Sequence, residues 1–449
     1  MSDTIDKLPR KLGLFPVTNI VIANIIGAGI FTTTGFMMDS LGNPLLLLIL
    51  WIVGGIIALC GAISFGELGA TYPQAGGEYI FISKIFSPLL GFLSGWLSLI
   101  VGFSAPIAAS AIGFSEYLSM AFPSLQKIIL SSDTVSLSLF KKLTAIFVIL
   151  FFTFIHSRGV IFGTRIQNVL TILKVTLIIG LIVAGFVFGE GSFEHFKNSG
   201  EFQLSFSGWK SIGLSLMFVM FAYSGWNSAT YIGSEIKSPG KVIPRSLLIS
   251  TGIVTILYVL LNMFFVFALS PGEIKGVPEI AGLAAGKAFG KMAEAVISLL
   301  ISFALVSSLS AFIILGPRVY YSMTREGYFF AFAAKIHPRF KVPIGAVLLQ
   351  SSIAIILVAS GTFEQILVYM GFSLGIFPII AVAGIFKLRL KNESALRLPG
   401  FPVVQILFIV TGLVMLILAF FERPYESSIA ILTALSGIPV FYWFKRRRV

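Results

Sequence analysis

Runs of about 20 apolar residues, each long enough to cross a hydrocarbon layer of roughly 30 Å as a helix, recur from one end of this chain to the other. With 57% of its 449 residues hydrophobic and 11% charged, the chain carries more apolar side chain than one globule can hide from water. The bilayer is therefore its solvent. The expected fold class is an all-α membrane protein with 12 transmembrane helices.

The net charge of +13 raises the question of nucleic acid. The 32 Lys and Arg residues fall in short loops between apolar spans, where basic residues mark cytoplasmic loops and anionic headgroups. No soluble basic module is present to read nucleic acid. If every span crosses, the basic loops concentrate on the side of the two termini, which predicts both termini cytoplasmic and a multi-pass protein of the cell membrane, plasma or inner. The Lys445–Arg448 run then serves as a cytoplasmic anchor. Charges precede Leu14 without an alanine-rich cleavage site, so the first span is expected to be retained. The fourth span, Leu143–Ile155, is too short for a full crossing unless Lys141 and Lys142 snorkel from a longer helix. Cys60 is the one cysteine, which excludes an internal disulfide and a cysteine-built metal site.

Two spans are interrupted by small residues in comparable settings, the first at Gly27, Ala28 and Gly29, the sixth around Ser224 and Gly225. Broken helices at matching places in two halves point to a transporter built from inverted repeats, with substrate held at the breaks. The expected organisation is a cytoplasmic segment 1–13, a first repeat 14–188 of five spans, and an extracellular linker 189–211. A second repeat 212–386, two accessory spans in 387–444 and a cytoplasmic tail 445–449 complete it.

The segment Asn24-Ile25-Ile26-Gly27-Ala28-Gly29-Ile30-Phe31 is the sharpest local signal. Two glycines around an alanine invite unwinding. A second half-helix beginning at Ile30 would then offer amide donors and a positive dipole end to a carboxylate. Close helix packing by small residues is the competing account. In Phe221-Ala222-Tyr223-Ser224-Gly225-Trp226-Asn227, carbonyls freed by a break would accept from an ammonium group, Phe221 would close over the ligand and Asn227 would present its amide. Tyr223 and Trp226 are read as packing residues.

Lys174 lies deep in an apolar span, too far from either end to snorkel easily, so it should face the interior with partners. It is either a fixed cation standing where a sodium ion would sit or a proton carrier, and both make sodium unnecessary. A lysine that only reaches backbone carbonyls is the bland alternative. Glu67, Glu78 and Glu235 fall at span ends, where gate or structural ion pairs are expected. His156, His195 and His337 are read as loop residues. No HExxH pair, nucleophile elbow or phosphate loop occurs, so no catalytic residue, metal or cofactor is expected and the chain is not read as an enzyme.

Four motifs then carry a family resemblance: Ile26-Gly27-Ala28-Gly29-Ile30-Phe31, Tyr72-Pro73-Gln74-Ala75-Gly76-Gly77-Glu78-Tyr79, Phe221 to Asn227, and Gly316-Pro317-Arg318-Val319-Tyr320-Tyr321. With the loop patterns at Glu235-Ile236-Lys237 and Lys335-Ile336-His337-Pro338, the chain resembles the amino acid, polyamine and organocation transporter superfamily, and within it the L-type amino acid transporter branch. The resemblance implies a five-plus-five inverted repeat with helices one and six broken, and transport by alternating access. It implies a substrate site at Ile22, Ala23, Ile26, Gly27, Ala28, Gly29, Ile30, Phe221, Ala222, Ser224 and Asn227. Backbone amides from Gly27 to Ile30 would hold the carboxylate, carbonyls near Ile22, Ala23, Phe221 and Ser224 the amine, and Phe221 would be the gate. Lys174 matches a lysine that replaces sodium in sodium-independent relatives, and Ser307 and Ser308 are placed beside it. Ser224 stands where branch members often carry glycine, which implies a smaller pocket for small or neutral L-amino acids. The loop between spans three and four has no cysteine, so no disulfide-linked heavy chain is expected. The expected partners are an amino acid substrate and the lipid bilayer. Exchange of one amino acid for another is the leading cycle, with proton-coupled symport, polyamine transport and a non-transporting sensor as alternatives.

Overall fold

The computed structural model describes residues 10–123, 137–158, 160–197, 205–340, 342–360 and 363–447. Among them the chain is helical, with two isolated β-bridges, Leu12 to Ile236 and Ala75 to Ile232. In order the helices are α1 (Leu14–Ile25), α2 (Ala28–Leu41), α3 (Pro44–Thr71), α4 (Glu78–Ile85) and α5 (Pro88–Ala121). Then come α6 (Leu137–Ser157), α7 (Val160–Phe188), α8 (Phe206–Ala222), α9 (Pro239–Ala268), α10 (Pro271–Ile274) and α11 (Ile280–Phe289). The series closes with α12 (Lys291–Arg325), α13 (Ile344–Ser360), α14 (Phe363–Leu390), α15 (Val403–Glu422) and α16 (Pro424–Arg447).

Ten helical stretches among the described residues are long and apolar enough to cross a membrane, α1 and α2 together making one of them. The protein is therefore a multi-pass membrane protein. The sixth and ninth expected spans are the shorter apolar helices α8 and α13. Large apolar side chains such as Phe147, Phe154 and Leu173 point outward, where lipid solvates them at no cost. The interior instead collects the polar groups, among them Asn24, Lys174, Asn262, Ser307 and Ser308. The sorting seen in water is inverted because the outer solvent is hydrocarbon.

Several boundaries differ from those read in the sequence. The fourth span is the longer helix α6, and Lys141 pairs with Glu116 while Lys142 donates to Ala359 O at 3.1 Å, so both lysines find partners at its start. His156 is not in a loop. It lies in α6, buried, with Nε2 2.8 Å from Ser310 Oγ of α12. The helices α4, α10 and α11 fall in segments read as loops, because short helices leave little periodicity. α5 packs along α12 and α9 along α3, and α1 lies against α7 and α9. These long helices form a frame around the interrupted segments.

One end of the bundle is tied by buried carboxylates. Glu67 of α3 is fully buried and accepts from Arg389 Nε at 2.8 Å, Ser394 Oγ at 2.7 Å and Leu398 N at 3.1 Å, which fixes the α14–α15 connection against α3. Glu235 pairs with Arg318 of α12 at 3.2 Å. Both are ion pairs, as their positions at span ends predict. Removing one partner of a buried pair strands the other charge and costs about 3–5 kcal/mol. Glu67→Ala and Glu67→Gln both strip Arg389 of its counter-charge, so both are expected to lower the thermal unfolding midpoint of the purified protein, Gln by less because one of the two acceptor oxygens remains. A wild-type midpoint in both variants would remove the assigned structural role.

Candidate functional site

The first apolar span stops being helical at Ile26 and Gly27 and resumes as α2 at Ala28, two residues earlier than Ile30. Gly27 is the extended N-cap of α2. The amides of Gly27, Ala28, Gly29 and Ile30 thus open a helix and have no acceptor inside it, and the positive end of the α2 dipole adds to them. Only one of the two glycines is sterically demanded. A Cβ on Gly29 would lie 2.6 Å from Ala222 Cα, whereas one on Gly27 would meet nothing closer than 3.9 Å.

The second interruption runs from Tyr223 to Asn227, directly after α8. Beyond it the chain forms no second α-helix but two short 3-10 turns, Ser228–Tyr231 and Gly233–Glu235, the first braced by Thr230 Oγ1 donating to Asn227 O at 2.7 Å. Gly225 has φ of 96°, and a Cβ there would sit 2.8 Å from the Asn24 backbone. Glycine is needed because the two breaks cross in contact at this point. Tyr223 and Trp226 are packing residues, as read: Tyr223 is fully buried and donates to Trp51 O, and Trp226 stacks edge-on against Phe65 and Phe408.

Three side chains hold the first break open. Lys174 of α7 donates to Ile26 O at 2.6 Å and Ser308 Oγ at 2.8 Å, with Ala23 O at 3.4 Å. Ser308 Oγ itself donates to Ile26 O at 2.7 Å. Tyr258 of α9 donates to Ile25 O at 2.7 Å and lies 3.1 Å from Ala222 O, so one hydroxyl spans both interruptions. Tyr258 escaped the sequence reading, since a tyrosine in an apolar span carries no signal of the carbonyl it reaches. Ser307 is not on Lys174. Its Oγ and carbonyl accept from Gln167 Nε2, each at 3.1 Å, and Gln167 was also missed.

A void of about 10 Å³ lies between the breaks, lined by Gly27, Ala28, Gly29, Phe221, Ala222 and Ser224 among others. That is room for about one water, so an amino acid enters only if the walls part. The Phe221 ring lies against Gly29 and forms one wall of this void. A larger cavity of about 90 Å³ shares Asn24, Ser224 and Phe312 with the first and extends to Asn227, Tyr231 and Glu78. Ile22, Ala23, Ile26 and Ile30 line neither cavity. The carbonyls of Ala23 and Ile26 are instead taken up by Lys174, and Ile22 O accepts from Ile26 N. Asn227 spends its amide on Glu78, donating from Nδ2 to Oε1 at 2.6 Å.

The sequence profile described as "Amino acid permease" matches residues 12–442, nearly the whole chain. The chain belongs to the amino acid permease family. It is 30% identical to the human cystine/glutamate transporter over 444 residues, 98% of this chain and 86% of that protein. It is also 30% identical to the mouse large neutral amino acids transporter small subunit 2, over 97% of this chain and 81% of that one. Identity with the mouse Asc-type amino acid transporter 1 is 28%, again over 97% of this permease and 81% of its relative. The permease is thus an amino acid transporter and not an enzyme, in agreement with the sequence reading.

The tight approach at Gly29 gives a direct test. Gly29→Ala is expected to push α2 from Ala222 and to weaken amino acid binding at least tenfold, read by ligand-induced thermal shift, while Gly27→Ala is tolerated far better. Equal affinities for the two variants would show that the close approach plays no part in binding.

Proposed function

We propose that this permease exchanges small or neutral L-amino acids across the cell membrane without sodium, by alternating access. One observation carries the reading: two interruptions cross in contact around a void lined by Gly27, Ala28 and Gly29, whose amides open α2 and have no acceptor within that helix. Helix-opening amides suit a carboxylate, and main-chain carbonyls around Phe221 and Ser224 suit an ammonium. Both charged ends of an amino acid are then held by backbone, which leaves the side chain to the larger cavity. Phe221 is the gate in this scheme, and Ala222, Ser224 and Asn227 line the path it closes.

Lys174 supplies the sodium independence. Its ammonium sits on Ile26 O and Ser308 Oγ, the oxygens a coordinated cation would use, and so provides a fixed positive charge beside the break. Exchange is favoured because Lys174 in the role of a fixed charge would bring no ion gradient to drive net uptake, and one relative's name, cystine/glutamate transporter, mentions two amino acids. The finer architecture belongs to the same reading: twelve spans, repeats 14–188 and 212–386 with 189–211 between them, accessory spans in 387–444, and segments 1–13 and 445–449 in the cytoplasm. The absence of a cysteine between α5 and α6 argues against a disulfide-linked heavy chain.

Proteoliposomes test the function. Labelled amino acid is expected to enter only when unlabelled amino acid is inside, with or without sodium, and sodium-dependent uptake into empty vesicles would overturn the proposal. A thermal-shift screen of the twenty amino acids identifies the substrate. Lys174→Ala removes the fixed charge beside the break and one of the two donors to Ile26 O, and is expected to slow exchange about tenfold or more. An unchanged rate in a folded variant would leave Lys174 with a packing role only.

A further inference from the structure

Glu78 begins α4, outside the membrane-crossing helices, yet only 7% of it is exposed. Its Oε1 accepts from Asn227 Nδ2 at 2.6 Å and Tyr231 Oη at 3.3 Å, and among the described residues no hydrogen bond reaches Oε2. Glu67 and Glu235 each have an arginine; Glu78 forms no ion pair among the described residues. The charged groups of the neighbouring elements are committed elsewhere, Arg318 to Glu235 and Lys84 and the Tyr79 hydroxyl to Glu326. Tyr231 is the titratable group that faces it, and Tyr320 lies behind Tyr231.

The same carboxyl lines the larger cavity, where Asn24 Oδ1, Ser94 Oγ, Ser228 Oγ and Ser373 Oγ are buried without partners. It also sits on the seam that closes this end of the bundle. Ala75 N donates to Ser234 Oγ at 2.7 Å, Gly76 N to Tyr231 O at 3.2 Å, and Ser322 Oγ to Ala75 O at 2.6 Å. Opening the cavity toward this end parts the 72–78 loop from residues 227–234 and wets Glu78.

We propose that Glu78 is a proton-binding site of the transport cycle, occupied while the 72–78 loop is closed on residues 227–234 and emptied when that seam opens to water. A buried carboxylate without a cation must either shed its charge or be hydrated. Burial raises the Glu78 carboxyl from its ordinary 4.5 to about 7, against the opposing pull of Tyr231 and Asn227. Linkage sets the sign: the closed state binds the proton more tightly, so acid favours closure and alkali favours opening. Between pH 8 and pH 6, on the side this seam faces, the opening equilibrium falls about tenfold. This placement of the proton rests on the exchange reading only for its effect on transport.

The first test needs no substrate. Ala75→Cys in a Cys60→Ser background is labelled with a methanethiosulfonate reagent from pH 6 to pH 8, with and without Glu78→Gln, whose amide mimics the protonated acid. Thiol ionisation is common to both, so the ratio of their rates isolates Glu78. The ratio is expected to rise about tenfold toward pH 8, and a constant ratio overturns the proposal. In exchanging vesicles Glu78→Gln is expected to hold the slow acid rate at every pH, and Tyr231→Phe, which removes a donor to the carboxylate, to move the midpoint upward. A Glu78→Gln variant with the wild-type pH curve likewise overturns it. Absence of any amino acid exchange by the wild type refutes the functional reading instead, while the labelling ratio still decides the role of Glu78.

Discussion

Hydrocarbon cannot hydrogen-bond to a peptide group, and this constraint governs the whole bundle. A helix can be interrupted in the membrane only where other protein groups, or water in a cavity, take up the freed amides and carbonyls. The first interruption leaves carbonyls at Ala23, Ile25 and Ile26, and α7, α9 and α12 each send a polar side chain to them: Lys174, Tyr258 and Ser308. The carbonyl side of the break is thereby satisfied permanently. On the amide side no side chain among the described residues accepts from the N–H of Ala28, Gly29 or Ile30, and this asymmetry is what the proposed carboxylate site rests on.

The frame helices explain how the breaks are kept in register. Gly225 and Gly29 let the two interrupted segments touch, and Tyr258 joins Ile25 to Ala222 across the contact. The two breaks are therefore tied directly to each other. At the end of the bundle that holds residues 10–12 and 72–79, the N-terminal segment pairs with residues 235–237, and the 72–79 loop with residues 231–234 and α12. Hydrogen bonds rather than interlocked apolar side chains make up much of this seam. Water can replace such bonds, so the seam parts at less cost than the α5–α12 packing behind it.

Much of the fold was legible because lipid demands length. A run of 20 apolar residues has one physical meaning in a chain this apolar, and most spans were found within a few residues of their helices. Misreadings cluster where that signal fades. Three short helices were taken for loops, and His156 was placed outside a helix that extends beyond its apolar stretch. At the site, Gly27 and Gly29 looked alike, yet only Gly29 meets another backbone. Ser307 and Ser308 are adjacent in sequence but serve Gln167 and Lys174 respectively, since neighbours on a helix point about 100° apart.

The sequence by itself determined that the chain lives in a bilayer, that its first and sixth spans break at small residues, and that a lysine lies too deep to reach water. These follow from local composition, which fixes how each segment meets lipid. Tertiary structure alone decided which carbonyls Lys174 holds, that Tyr258 spans both breaks, and that Asn227 donates to Glu78. Hydrogen bonds between residues far apart in the sequence depend on how helices cross, and no local pattern encodes a crossing.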